Sequence, residues 1–149
     1  MDFDKLNSAG FLVNHVARLF AEGLRLKIAP LGIVPGQFPA LLELWEKDGQ
    51  TQKQLVEKLD IEQATMANTL SRMERDGLIV RKEHPQDGRA KLIYLTQKAK
   101  IIRDEAYQAA NDTNALALRG FSDKEREQFL ALINKAIAAL RDPATQTDE

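Results

Sequence analysis

The sequence predicts a mainly helical fold carrying one small β-hairpin. Three observations lead there. Most of the 149 residues fall in segments whose apolar residues recur at helical spacing. One pair of β-branched and aromatic-rich runs flanks a stretch containing proline and Asp-Gly. A short helix, a brief turn and a second helix immediately precede that pair.

The elements follow in order. Leu6 to Ala29 reads as a helix through Leu12, Val16, Leu19, Phe20 and Leu26. Pro30, Gly32, Pro35 and Gly36 break it. Gln37 to Lys47 is a second helix, with Phe38, Leu41, Leu42 and Trp45 on its apolar face and Gly49 as a stop. Thr51 opens a short third helix, and Gln54 three residues on has capping-box spacing. Leu55, Val56 and Leu59 form its buried side. Asp60 and Ile61 make a turn. A fourth helix runs from about Glu62 to Asp76, with Ala64, Met66, Leu70 and Met73 on its buried side and Gly77 as a left-handed C-terminal cap. Leu78–Lys82 and Lys91–Leu95 are the strands, joined by a long tip from His84 to Arg89. Thr96 caps a long helix to about Leu118, and Gly120 breaks it. Ser122 and Glu125 start a last helix to Leu140. The polar tail after it reads as flexible.

Composition excludes several classes. There is no cysteine, so disulfides, thiolate metal sites and thiol redox sensing are ruled out, and the chain suits a reducing cytosol. No segment approaches the roughly 20 apolar residues that span a bilayer. The first residues carry two acids before the first lysine and do not read as a signal peptide. A cytoplasmic location is expected. Gly-rich phosphate loops, His-Glu-x-x-His and Gly-x-Ser-x-Gly are missing from the sequence, so an enzyme is not expected. No cofactor is expected. Nor is a metal site, because His15 and His84 are the two histidines and lie far apart in the chain.

The net charge of −1 does not mark a strong nucleic-acid binder. Its distribution is uneven. Thr65 to Tyr94 holds six basic and four acidic residues, a net of +2, whereas residues 1–50 and 96–149 each net −1.

Helix, turn, helix and hairpin in that order form a helix-turn-helix with a wing. The first helix of such a pair braces the second, whose N-terminal residues enter a major groove. The exposed face of the fourth helix carries Gln63, Thr65, Asn68, Thr69 and Arg72, with no charge between Glu62 and Arg72. A merely solvated helix face favours Glu and Lys in helical pairs. Amides pair bidentately with adenine, Arg with guanine or phosphate, and a Thr methyl packs on thymine. At the wing tip, Asp87 is placed to hold the Arg89 guanidinium and stiffen its approach to a narrow minor groove. The bland alternative there is an Asp-Gly turn beside a solvated arginine.

Residues 33–100 resemble the MarR family of bacterial regulators, near its SlyA-like branch. The resemblance rests on the helix-turn-helix, the passage Glu74-Arg75-Asp76-Gly77-Leu78-Ile79-Val80-Arg81 into the wing, Asp87-Gly88-Arg89-Ala90 at the tip, and the Leu95-Thr96 strand exit. It implies a homodimer built on the first and last two helices, with the fourth helix as the recognition helix. By position Gln63, Ala64, Thr65, Asn68 and Arg72 fall on its DNA-facing side, with Asp87 and Arg89 in the wing. Asn68 departs from the Arg common in the SlyA-like branch, which trades a guanine-seeking fork for an amide suited to adenine. Ala99 replaces a frequent glycine. The family's response to small aromatic or amphipathic molecules implies a pocket that Phe11, His15 and Trp45 would border; core or dimer packing is the alternative for each.

The expected organisation is therefore an N-terminal dimerisation helix (1–34), a winged helix-turn-helix DNA-binding lobe (35–95), C-terminal dimerisation helices (96–141) and a flexible tail (142–149). The expected function is a regulator of palindromic double-stranded operators, most simply a repressor, that a small inducer relieves. The competing reading is a winged-helix module that docks a protein instead of DNA.

Overall fold

The computed structural model describes residues 1–143. It divides into two compact units, Met1–Thr113 and a second from Asn114 onward.

In the first unit, a 3-10 turn at Lys5–Asn7 precedes helix α1, Ala9–Ile28. The helix starts three residues later than the apolar spacing suggests, because Ser8 is the cap: its Oγ accepts from the Phe11 N–H at 3.3 Å. Helix α2 spans Phe38–Glu46. Strand β1 is the pair Gln50–Thr51, helix α3 is Gln52–Leu59 and helix α4 is Gln63–Arg75. Strands β2 and β3 are Ile79–Glu83 and Lys91–Leu95. Helices α5, Gln97–Ile101, and α6, Arg103–Ala117, follow, and α6 runs into the second unit. Helix α7, Asp123–Arg141, belongs to that second unit.

The capping boxes read from the sequence both form. Thr51 Oγ1 accepts from the Gln54 N–H at 3.1 Å and Gln54 Oε1 accepts from the Thr51 N–H at 2.9 Å. Ser122 and Glu125 do the same at 3.1 and 3.0 Å. These bonds hold the Glu125 carboxyl below its ordinary pKa, the backbone N–H of Ser122 first among the causes.

Three further features differ from the sequence expectation. The single long helix after Thr96 is broken at Ile102, whose ψ of −4° leaves the helical value of about −42°. The hairpin is one side of a three-stranded antiparallel sheet in the order β1-β3-β2. Two residues are too short for β1 to carry an alternation signal; it pairs Gln50 with Ile93 and Thr51 with Leu92. Ala64, expected on the buried side of α4, is exposed. The tail assigned to 142–149 lies, from residue 144, outside the described residues.

The core gathers Ile28, Ile33, Leu41 and Leu44 with Leu55, Met66, Leu70, Met73 and Leu78, and closes on Ile79 and Ile93 of the sheet. Gly49 and Gly77 take positive φ of 71° and 75° at the ends of α2 and α4. At Gly49 a Cβ would lie 2.8 Å from the Tyr94 ring, so the turn needs glycine for space as well as for conformation.

Candidate nucleic-acid interface

The placement of α4 starts with its apolar stripe. Met66, Leu70 and Met73 are fully buried at i, i+4 and i+7, which turns the opposite face outward. Gln63, Ala64, Thr65, Asn68 and Arg72 are exposed there; Thr69 is half-buried at the margin. The uncharged amide and hydroxyl face expected from the sequence is therefore a surface of the folded unit.

Both ends of α4 are tied down. At its start, the Gln52 side chain donates to the Gln63 carbonyl at 3.4 Å. At its end, the buried Gln37 donates to Asp76 Oδ2 at 2.9 Å while its own Oε1 accepts from the Val34 N–H. The Gln37 bond, then Arg75, holds the Asp76 carboxyl below the usual carboxylate range. Lys98 donates to the Asp76 carbonyl at 2.9 Å and Thr96 Oγ1 to the Gly77 carbonyl at 2.6 Å. The segment before α2 and the start of α5 thus fix the angle at which α4 leaves the body of the unit.

The wing projects beside it. Pairing of β2 with β3 runs in register from Ile79↔Leu95 to Glu83↔Lys91. Arg81, on the same strand face as Ile79, lies against α4, with Nη2 3.3 Å from Ser71 Oγ and Nε 3.7 Å from Glu74. Its Nε is buried without a hydrogen-bond partner, so the Glu74 carboxylate is its main compensation.

Between the starts of α3 and α4 and the wing lies an open cavity of about 460 Å³. Lys53, Arg81, Arg89 and Lys91 line it against the single carboxylate of Asp87, with His84, Gln63 and Thr51 among the other walls. Four cations and one anion thus line one concave surface, with Glu74 and Glu83 beside Arg81 and Lys91. The mild net charge of the region conceals this, because folding sorts the cations of four elements onto one surface.

At the tip the expected pairing of Asp87 with the Arg89 guanidinium does not form. Asp87 Oδ1 instead accepts from the Arg89 backbone N–H at 3.0 Å. A carboxylate two residues before an N–H closes a local turn on the backbone, which competes with reaching the longer side chain. The Arg89 side chain is left exposed and among the cavity walls.

Phe11, His15 and Trp45 do not line that cavity. Phe11 and His15 meet edge to face on an exposed stretch of α1, with ring centroids 6.3 Å apart. Trp45 is half-buried between Phe38 and Tyr107, at 6.0 and 5.6 Å, and its Nε1–H donates to the Ala99 carbonyl at 3.0 Å. Lys53, Arg81 and Lys91 were not singled out from the sequence as part of the interface. Strand alternation, which puts Arg81 on the face of Ile79 and Lys91 on that of Ile93, is a signal that could have found two of them.

Comparison with known proteins adds a family. Residues 33–91 match the sequence model described as the MarR family. A MarR family transcriptional regulator from Silicibacter pomeroyi is 28% identical, covering 93% of this chain and 93% of its own, with a TM-score of 0.74. A MarR family protein from Listeria monocytogenes, crystallised with 26mer DNA, is 24% identical over 90% of this chain and 89% of its own, with a TM-score of 0.83. The PcaV transcriptional regulator from Streptomyces coelicolor, in complex with its natural ligand, is 23% identical over 95% of this chain and 99% of its own, with a TM-score of 0.84. At these last two identities the likeness is one of fold.

Proposed function

We propose, from the premise that this chain belongs to the MarR family, that it is a dimeric regulator that binds double-stranded DNA by sequence. The observation that carries this is the continuous exposed surface of α4 and the wing. Gln63, Ala64, Thr65, Asn68, Thr69 and Arg72 provide a face for base edges, and the cations around the neighbouring cavity provide phosphate contacts. Arg89, freed from Asp87, reaches the adjacent minor groove. The Listeria protein held on DNA has the same fold. A protein-docking surface would carry a central apolar patch, whereas the exposed residues of α4 are polar apart from Ala64 and the cavity beside it is cationic.

The dimer supplies the second half of the operator. Residues 1–34 and 96–141 are its dimerisation segments, and 35–95 the DNA-binding lobe. Leu12, Val13, Val16 and Leu19 on α1 are exposed, as are Leu130, Leu132, Ile133, Ile137 and Leu140 on α7. A second copy of the chain covers these side chains and holds two recognition helices about 34–36 Å apart, one turn of duplex. Occupancy of a palindromic site near a promoter blocks polymerase, which makes repression the simplest outcome. The protein acts in the cytoplasm and performs no catalysis.

Relief by a small aromatic or amphipathic ligand belongs to the same proposal. The Phe11–His15 pair and the half-buried face of Trp45 are the aromatic surfaces that would meet it. Such a ligand acts only through different affinities for the DNA-competent and incompetent arrangements.

Selection of bound duplexes from a random pool, followed by salt titration of the winner, tests the proposal. The expected result is an imperfect palindrome whose affinity falls steeply with salt, as released counterions require. No enrichment at low salt would overturn it.

A further inference from the structure

The wing tip is organised by a histidine. His84 Nδ1 accepts two backbone N–H groups, from Gln86 at 3.1 Å and from Asp87 at 3.2 Å. The loop then closes on itself. Asp87 Oδ1 accepts from the Arg89 N–H at 3.0 Å, the Asp87 carbonyl accepts from the Ala90 N–H at 3.1 Å, and the Ala90 carbonyl accepts from the His84 N–H at 3.3 Å. Each link fixes the next, and the last returns to the first residue. Glycine at 88 and proline at 85 supply no side-chain acceptor, so the two N–H groups that open the turn depend on the ring.

We propose that His84 is a positioning residue of the DNA interface: as an Nδ1 acceptor it presets the tip from which Arg89 projects. The inference rests on the DNA-binding reading for its purpose, but the tip geometry stands apart from that reading. The arrangement needs the neutral Nε2–H tautomer. A protonated ring would carry a hydrogen on Nδ1, facing two N–H donors. The charged groups that share the cavity wall with it are Lys53 from α3, Arg81 from β2, Lys91 from β3, and Asp87 and Arg89 from the tip. Lys91 is also 3.6 Å from Glu83.

Asn separates the acceptor role from every other property of the ring. Its side-chain oxygen, Oδ1, sits at the δ position, as Nδ1 does, accepts the same N–H groups as an Asx turn, and does not titrate. Binding to the selected palindromic duplex is measured at about pH 8. His84→Ala is expected to bind about tenfold more weakly than wild type, two neutral hydrogen bonds being lost. His84→Asn is expected within about twofold of wild type. In parallel, hydrogen exchange of the backbone amides of the free protein is followed. The Gln86 and Asp87 amides are expected to exchange faster in His84→Ala than in wild type and to keep their wild-type rates in His84→Asn. Wild-type affinity in His84→Ala, equal loss in the Ala and Asn variants, or amides that ignore the ring would each overturn the proposal. Failure of wild type to bind any duplex would sink the DNA reading alone, with the amide exchange rates still deciding whether His84 orders the tip.

Discussion

The lobe formed by α2 to β3 and the two flanking helices α1 and α7 solve the same problem in opposite ways. The lobe buries its large apolar side chains within one chain: Leu41, Leu44, Leu55, Leu70 and Met73 have no more than 1% of their surface exposed. What it leaves outside is mostly polar or charged, with Leu42 and Val80 its exposed large apolar side chains. Helix α7 has no buried residue, and Ile28 is the single one on α1. Their apolar stripes stay open to solvent: Leu132 is 64% exposed and Leu19 61%. Helices with that pattern are stable when another surface covers them. The difference teaches that the lobe, with Ile28 and Ile33 closing its core, turns its apolar residues inward, while α1 and α7 leave theirs for the second copy that the proposed dimer supplies.

The largest expected effect breaks the flanking region. Ile133→Glu with Ile137→Glu places two charges on the apolar face of α7. Uncompensated charge in a buried interface costs roughly 3–5 kcal/mol. Sedimentation should show the dimer weakened by about a hundredfold or more, with duplex binding lost; an unchanged dimer would remove the contrast between the two regions. Next comes the lobe itself. Leu70→Ala should lower stability by about 2–5 kcal/mol through the cavity it leaves, read by denaturant unfolding. A value near zero would mean that α4 is not held by its apolar stripe.

Gly49→Ala combines a strained φ with a Cβ 2.8 Å from the Tyr94 ring. About 1–3 kcal/mol of destabilisation is expected, and Tyr94→Ala in the same chain should recover the steric part. Arg89→Ala sharpens the comparison from the other side. It should weaken duplex binding by about 1–3 kcal/mol and leave the thermal midpoint in place, because the side chain is exposed and packs on nothing in the core.

The smallest effect is in acid. The Asp76 carboxyl is held below its ordinary value, first by Gln37. A depressed folded pKa gives stability that is present above the unfolded value of about 3.9 and lost as pH falls through the folded one. Asp76→Asn should therefore flatten the stability profile on the acid side of about pH 4, and an unaltered profile would mean that the Gln37 bond does not hold the charge.

Much of this was legible in the residue order. Met66, Leu70 and Met73 at helical spacing fixed which face of α4 turns outward, and Thr51 with Gln54 marked the start of α3 to the residue. Ser8 escaped because the apolar spacing of α1 continues past its cap into Leu6. Strand β1 escaped because pairing of two residues is decided by the partner strand. The Asp87 carboxylate was assigned to the wrong group of Arg89, since sequence gives the spacing of two residues but not whether backbone or side chain is nearer. The cation cluster was hidden for the same reason: Lys53, Arg81 and Lys91 come from three elements and share no local pattern.

The most direct test of a two-copy DNA reader is spacing on the duplex. With the two half-sites separated as selected, tight binding is expected. Inserting about five base pairs, half a helical turn, should turn the half-sites to opposite faces and reduce affinity to that of a single half-site, while about ten should restore the facing. Affinity indifferent to the insertion would contradict the account, because the flanking helices would then not be holding two recognition helices one turn apart.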